Sequence, residues 1–115
     1  MTDSKTKIIR ELNDRFRKGD ANIPGNVVVT TGVQALLAEE EKSFEALATE
    51  VRAFDEFSPD NDPYQEHDFG KFSFCGADLF WKIDRYNATY DGGSEDPTDL
   101  TKTSRVLTIM LTSEY

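Results

Sequence analysis

The sequence predicts an α+β fold in one domain spanning residues 1–115. Two helices are expected to pack on a small, mainly antiparallel, three- to four-stranded sheet. Hydrophobic residues make up 37% of the 115 residues, and 8 Phe, 4 Tyr and 1 Trp supply enough apolar surface for one core. Apolar residues recur at helical spacing in the first half of the chain and alternate in the second half, which indicates helices followed by strands.

The first predicted helix covers residues 4–18. Asp3 or Ser4 is suited to cap its start, because short polar side chains accept hydrogen bonds from free backbone N–H groups. Gly19 is suited to the left-handed position after its end. Four apolar residues recur three and four positions apart and form one stripe that faces the core: Ile8, Ile9, Leu12 and Phe16.

A β-branched run at residues 27–31 then predicts a strand, and Gly32 is expected to end it. The second helix is predicted from about Glu39 to Phe54. Its apolar residues recur three and four positions apart and would lie on one face of a helix: Phe44, Leu47, Val51 and Phe54.

The second half of the chain predicts a hairpin between two polar loops. Residues 55–68 are rich in Asp, Asn and Pro and predict a loop. Aromatic strands on either side of Gly76-Ala77-Asp78 predict the hairpin, and residues 87–103 form the second loop. Residues 105–115 favour a final strand, but periodicity alone leaves a short helix open.

The net charge is −9, and the acidic residues concentrate in the two loops. Residues 55–68 contain six acids and residues 91–99 contain four, in both cases without Lys or Arg. Such a field repels phosphate backbones, so direct nucleic-acid binding by the main body is not expected, whereas a protein with a basic surface is a suitable partner. No leader and no long apolar segment is visible, so we expect a cytoplasmic protein that does not enter a membrane.

The single cysteine, Cys75, excludes an internal disulfide, and we expect it to be buried in the hairpin. The single histidine, His67, stands between Glu66 and Asp68. A carboxylate of the same loop, from Glu66, Asp68, Asp60 or Asp62, can orient the imidazole and make it a general base. Glu66, His67 and Asp68 are the candidate catalytic group. The loop lacks the ligand spacing of a calcium site and a second histidine for a metal hydrolase, so neither a metal nor a cofactor is expected.

Five blocks in order resemble a bacterial family catalogued as domain of unknown function 3768. They are "IRELNDRFR", "VRAFDEFSPDNDP", "NDPYQEHDFG", "FWKID" and "RVLTIMLTSEY", and they cover nearly the whole chain. The family usually has Gly where this chain has Gln65. The resemblance implies a small bacterial protein, often carried on plasmids and other mobile elements beside antirestriction-type genes. It supplies no known activity and no catalytic residue.

These observations favour a non-catalytic protein-binding module of a mobile element. The expected role is an acidic inhibitor of a nucleic-acid-targeting defence system, of the anti-restriction or anti-CRISPR type, whose partner is a nuclease or RNA-guided effector. A homodimer is compatible with the sequence. Eight acids are expected to contact the partner: Asp55, Glu56, Asp60, Asp62, Asp91, Glu95, Asp96 and Asp99.

Two alternatives stay open. The first is a small enzyme or metal-dependent hydrolase centred on Glu66, His67 and Asp68. The second is a regulatory module whose basic first helix docks on nucleic acid or on its own twin through Arg10, Arg15, Arg17 and Lys18.

Overall fold

The computed structural model describes residues 4–115 and shows an α+β fold, as predicted. Asp3, one of the two residues expected to cap the first helix, lies outside the described residues, and Ser4 already lies within that helix. The helices are α1 (Ser4–Arg17), α2 (Thr31–Glu39) and α3 (Phe44–Ala53). The strands are β1 (Gly25–Val29), β2 (Phe69–Phe74), β3 (Ala77–Tyr86) and β4 (Ser104–Leu111), and a 3₁₀ helix follows at Thr112–Glu114.

The four strands form one mixed sheet in the order β1-β4-β3-β2. The β2–β3 and β3–β4 pairs are antiparallel, whereas β1 pairs with β4 in parallel, with Gly25 opposite Arg105. The starts of β1, β2 and β4 and the end of β3 therefore lie at one end of the sheet. The two polar loops connect to the strands at that end.

The core lies on one face of the sheet, because alternate residues of a strand point to the same side. Trp81 of β3 is fully buried and stands opposite Ile109 of β4. All three helices contribute to the same cluster, through Leu12 and Phe16 of α1, Val33 of α2, and Leu47 and Val51 of α3.

The prediction of two helices was wrong in number, because residues 31–39 form a third helix. Thr30 ends the strand region and caps α2, with its hydroxyl accepting a hydrogen bond from the N–H of Val33. Gly32 therefore lies in the first turn of a helix and does not break the chain. The helix predicted to start at Glu39 begins instead after Ser43, whose hydroxyl accepts from the N–H of Ala46.

The hairpin and the last strand are confirmed. The turn consists of Cys75 and Gly76, both with positive φ (+52° and +77°), which is the type I′ arrangement that suits two-residue hairpins. Ala77 and Asp78, predicted to be in the turn, already belong to β3. Gly19 adopts the predicted left-handed conformation after α1, with φ of +93°.

Candidate functional site

His67 lies near the end of the loop that connects α3 to β2. Gln65 and His67 both have left-handed backbones, with φ of +57° and +53°. The left-handed conformation at Gln65 is one that glycine adopts more readily than other residues. The His67 ring stacks on Phe57, with 3.7 Å between the ring centroids and 5° between the planes. Its side chain keeps 22% of its surface exposed.

Two aspartates from different parts of the chain hold the imidazole. Nδ1 of His67 lies 2.9 Å and 3.0 Å from the two carboxylate oxygens of Asp14 in α1. Because a carboxylate only accepts, Nδ1 carries a proton and donates it. Nε2 lies 3.5 Å from Oδ2 of Asp62, and the backbone N–H of His67 donates to Oδ1 of the same residue. The histidine therefore joins its own loop to α1.

Asp14 also binds Arg17, a buried cation of α1. The Arg17 guanidinium donates from Nη2 to Asp14 at 3.2 Å and from Nη1 to the carbonyls of Val51 and Arg52 at the end of α3. It lies over the ring of Trp81, 5.2 Å from the centroid. Burial lowers the pKa of Arg17, and the Asp14 carboxylate opposes that effect.

Glu66 and Asp68, the predicted companions of His67, pair instead with Arg85 of β3. The Arg85 guanidinium lies 3.0 Å from Glu66 and 3.9 Å from Asp68. The left-handed backbone at His67 separates its side chain from those of its neighbours, so the sequence triplet does not form one group. Burial raises the pKa of Asp68, and Arg85 limits the increase.

His67 lines an open cleft of about 280 Å³. Arg10 of α1 stands on one side and donates to the carbonyl of Gln65 at 3.3 Å. No carboxylate among residues 4–115 forms an ion pair with Arg10. The cleft is bounded by Arg10, Phe57, Ser58, Pro59, Asp62, Pro63, Gln65 and His67.

The histidine and carboxylates do not form a metal-binding group within the part of the chain that the structure describes. Residues 4–115 contain no set of three or more His, Cys, Asp or Glu side chains placed to hold a metal ion. The ordered partners of His67 are the carboxylates already named, and Nδ1 is occupied by its bond to Asp14.

Seven of the eight acids predicted to contact a partner lie at the surface or are partly exposed. Asp55, Glu56, Asp60, Asp91 and Glu95 are exposed, and Asp96 and Asp99 are partly exposed. Asp62 is a correction, because it is buried with 6% of its surface exposed and accepts hydrogen bonds within its own loop. Its charge is directed at His67 and not at the solvent.

Three acids of the second loop are held by short hydrogen bonds that keep them ionised. The Asn87 amide and the Thr89 hydroxyl lower the pKa of Asp91. In the Asp-x-Thr turns that follow, the Thr98 hydroxyl and N–H lower the pKa of Asp96, and those of Thr101 lower the pKa of Asp99. The repeated "DPTDLT" pattern is the sequence signal for these turns.

A buried polar chain ties the two acidic loops together. Asn13 of α1 donates to the carbonyl of Glu66 in the first loop at 2.9 Å. Arg105 of β4 donates to the Asn13 side chain at 2.7 Å and to the carbonyl of Pro97 in the second loop at 2.9 Å. Burial lowers the pKa of Arg105 to about 10. Both loops are therefore anchored at the same end of the sheet.

Two further sequence predictions, on the arginines of α1 and on Cys75, differ from the structure. Arg17, proposed to dock on nucleic acid, is buried with 4% of its surface exposed, and Arg15 pairs with Asp20 at 2.8 Å. Cys75 is exposed at the hairpin turn, whereas we expected it to be buried. A turn residue in a two-residue hairpin loop points away from the core that the flanking strands cover.

A family model described as "Protein of unknown function (DUF3768)" matches residues 29–114. The chain belongs to this family. The part matched to DUF3768 includes both acidic loops and His67, whereas Asp14 and Arg17 lie before it. No curated protein and no solved structure matches the chain.

No helix within residues 4–115 has the length and apolar character needed to cross a membrane.

Proposed function

We propose that this DUF3768 member is a non-catalytic module of a mobile genetic element that binds a basic protein in the cytoplasm. In this role it inhibits a host system that targets nucleic acid, such as a restriction enzyme or an RNA-guided nuclease. The main support is the joint anchoring of the two acidic loops at one end of the sheet by Asn13 and Arg105. Ordered loops that carry charges of one sign steer a basic partner and compete with its nucleic acid.

Each loop supplies exposed charges for this contact. Asp55, Glu56 and Asp60 are exposed in the first loop, and Asp91 and Glu95 are exposed in the second. Lys102 pairs with Glu95 at 3.5 Å, but both side chains are largely exposed, so the pair is weak and open to exchange with a partner's cation. The hydrogen bonds to Asp91, Asp96 and Asp99 keep the second loop ordered before binding, which lowers the entropy cost of association.

Charge reversal tests this proposal. The tagged protein is first used to capture its partner from a host lysate, and the partner is identified by mass spectrometry and purified. Binding is then measured for the pairs Asp55→Lys/Glu56→Lys and Asp91→Lys/Glu95→Lys. We expect each pair to weaken binding at least about tenfold, mainly by slowing association, and to reduce the salt dependence of binding.

The matched control is Glu39→Lys/Glu40→Lys, which makes the same change in net charge at exposed positions outside the two loops. It should retain most of the affinity. Equal loss in the control would show that net charge alone governs binding, and unchanged binding in both loop pairs would reject the acidic surface as the contact.

The Asp14–His67 contact favours a second candidate function, a small enzyme that uses His67 as a general base. The catalytic pair would then be His67 and Asp14, and not the Glu66, His67 and Asp68 triplet. An imidazole oriented by a carboxylate beside an open cleft has the arrangement that general-base catalysis requires. Hydrolysis of activated esters and phosphate esters, measured for the wild type and for His67→Gln, tests this candidate. Activity that survives this substitution would reject it.

A further inference from the structure

The cleft beside His67 contains two side chains that can donate hydrogen bonds to a ligand, Arg10 and Ser58. Arg10 uses one long bond to the Gln65 carbonyl, which leaves most of its five N–H groups for other partners. The Ser58 hydroxyl accepts from the N–H of Asn61 and retains its own proton for donation. The main acceptor is Asp62, and one of its oxygens is already bonded to the N–H of His67.

The contact between His67 and Asp62 depends on one proton. When only Nδ1 is protonated, the lone pair of Nε2 and the Asp62 carboxylate oxygen are 3.5 Å apart and both can only accept. A second proton on the ring makes Nε2 a donor to Asp62 and balances its negative charge. With Asp62 neutralised in this way, the positive charge of Arg10 is the one that the cleft offers to a ligand.

Among residues 4–115, the other charges around the cleft are already paired and do not compensate Arg10. Asp14 is shared between Arg17 and the His67 ring, and Arg85 of β3 is occupied by Glu66 and Asp68. The charged groups around the imidazole are thus Arg10, Asp14 and Arg17 of α1, Asp62 and Glu66 of its own loop, and Arg85 of β3.

We propose that this cleft binds a small oxyanion, a carboxylate or phosphate-type group, through Arg10 and Ser58, and that binding is coupled to uptake of a proton by His67. This site is separate from the proposed protein contact, which uses exposed acids and does not require the cleft. Linkage is reciprocal, so the anion favours the protonated imidazole and the protonated imidazole favours the anion. Affinity changes by at most about tenfold per pH unit for one coupled proton.

The chain has one histidine, so a single imidazole reports on the site. The ¹⁵N-labelled protein is titrated from pH 5.5 to 8.5 at constant ionic strength, and the ring nitrogen signals are followed by NMR. The probes are sulfate for the tetrahedral class and acetate for the carboxylate class, since neither changes protonation in this range. We expect one of them to shift the His67 midpoint to higher pH and to bind more tightly as the pH falls.

Arg10→Gln should weaken anion binding at least about tenfold, and Arg10→Lys should retain part of it. Arg15→Gln is the matched control, because it removes an exposed arginine of the same helix that pairs with Asp20 away from the cleft. Circular dichroism verifies the fold in each variant. Sulfate binding without acetate binding assigns a tetrahedral ligand, and the reverse assigns a carboxylate.

Three results would overturn the proposal: His67 signals that respond to neither anion, responses that follow ionic strength alone, or equal losses in Arg10→Gln and Arg15→Gln. None of these measurements requires the protein partner. Failure of the anion site is therefore distinguishable from failure of the acidic surface.

Discussion

Asp14 is the residue on which the polar contacts of α1 and of the first acidic loop converge. It accepts hydrogen bonds from the buried Arg17 and from the ring of His67. Arg17 is buried, and its Nε has no hydrogen-bond partner among residues 4–115, so it depends on Asp14 and on the α3 carbonyls. A buried cation that loses its counterion retains its desolvation cost.

Asp14→Asn should therefore lower the free energy of unfolding by about 2 kcal/mol. Urea denaturation at pH 7 measures this change. Glu45→Gln, which removes the exposed carboxylate paired with Arg52, is the control and should have a much smaller effect. A loss in Asp14→Asn no larger than in the control would mean that the α3 carbonyls alone satisfy Arg17.

Asp68 gives a prediction with a defined pH dependence. Burial raises its folded-state pKa above the usual 3.8, so folding favours the protonated acid. The stabilising contribution of that acid is complete below pH 3.8 and is lost as the pH rises through the folded-state pKa. Asp68→Asn should then exceed the wild type in stability at pH 7 by up to about 1 kcal/mol after solvent screening, and the gap should close near pH 3.

Thermal unfolding of both proteins between pH 3 and pH 7 measures the gap. If Asp68→Asn were less stable than the wild type at pH 7, the attraction of Arg85 would outweigh the burial cost. Arg85 also binds Glu66, which makes it less dependent on Asp68.

The sequence identified His67, its loop and Asp62 as one possible partner, but the triplet neighbours Glu66 and Asp68 do not hold the ring and Asp14 was missed. Glu66 and Asp68 are adjacent in the chain, whereas Asp14 is 53 residues away and Asp62 is five residues away. Left-handed conformations at two non-glycine residues decide the direction of these side chains. Conformational propensity disfavours the left-handed region for these residues, so sequence patterns carry no signal for it.

At the scale of elements, α2 depends on a residue from the far end of the chain. The Glu114 carboxylate accepts from the Thr30 hydroxyl at 2.6 Å, the Gly32 N–H at 3.1 Å and the Leu111 N–H at 2.8 Å. A Cβ atom at Gly32 would lie 2.7 Å from the carboxyl group of Glu114. The missing side chain at Gly32 therefore makes room for the acid that holds the start of the helix.

Gly32→Ala should destabilise the protein by about 1 kcal/mol, because it displaces Glu114 from these donors. In a Glu114→Ala background the same substitution should be neutral or stabilising by up to about 1 kcal/mol, since Ala favours helices over Gly. A double-mutant cycle by urea denaturation measures the coupling. Additive effects would show that Glu114 moves aside without cost.

This contact explains why sequence reasoning missed α2. Gly32 after a β-branched run predicts the end of a strand, and the residues after it lack a strong amphipathic pattern. The acid that completes the helix start is 82 residues away. The hairpin was predictable because its alternating pattern and its glycine turn are local.

At the scale of the whole molecule, Arg105 joins α1, β4 and the second loop. Its Nη1 has no hydrogen-bond partner within the described chain, and burial lowers its pKa, so its placement costs free energy. Two hydrogen bonds, to Asn13 and Pro97, offset part of that cost. The arrangement couples the order of one acidic loop to the order of the other.

Arg105→Met should therefore increase backbone hydrogen exchange in both residues 55–68 and residues 87–103. Mass spectrometry of peptic fragments measures the exchange, and Arg52→Met, at an exposed site, is the control. Faster exchange confined to residues 87–103 would mean that the two loops are anchored independently.

The α+β class and most strands were predictable from composition and alternation, but the parallel β1–β4 pair was not. The pattern of a strand carries no information on which distant strand it pairs with. The predicted number of helices was too low because α2 was missed. The two polar loops connect to the same end of the sheet because of this strand order. Their placement was therefore not predictable from the sequence alone.

The parallel pair also sets the order in which the chain can fold. The β1 strand has a single neighbour in the sheet, β4, and Gly25 stands opposite Arg105. During synthesis, β1 has no partner in the sheet until residues 30–111 have been made. Such non-local pairing favours slow folding, with the exposed Val27 and Val28 available to chaperones or to neighbouring chains in the interval.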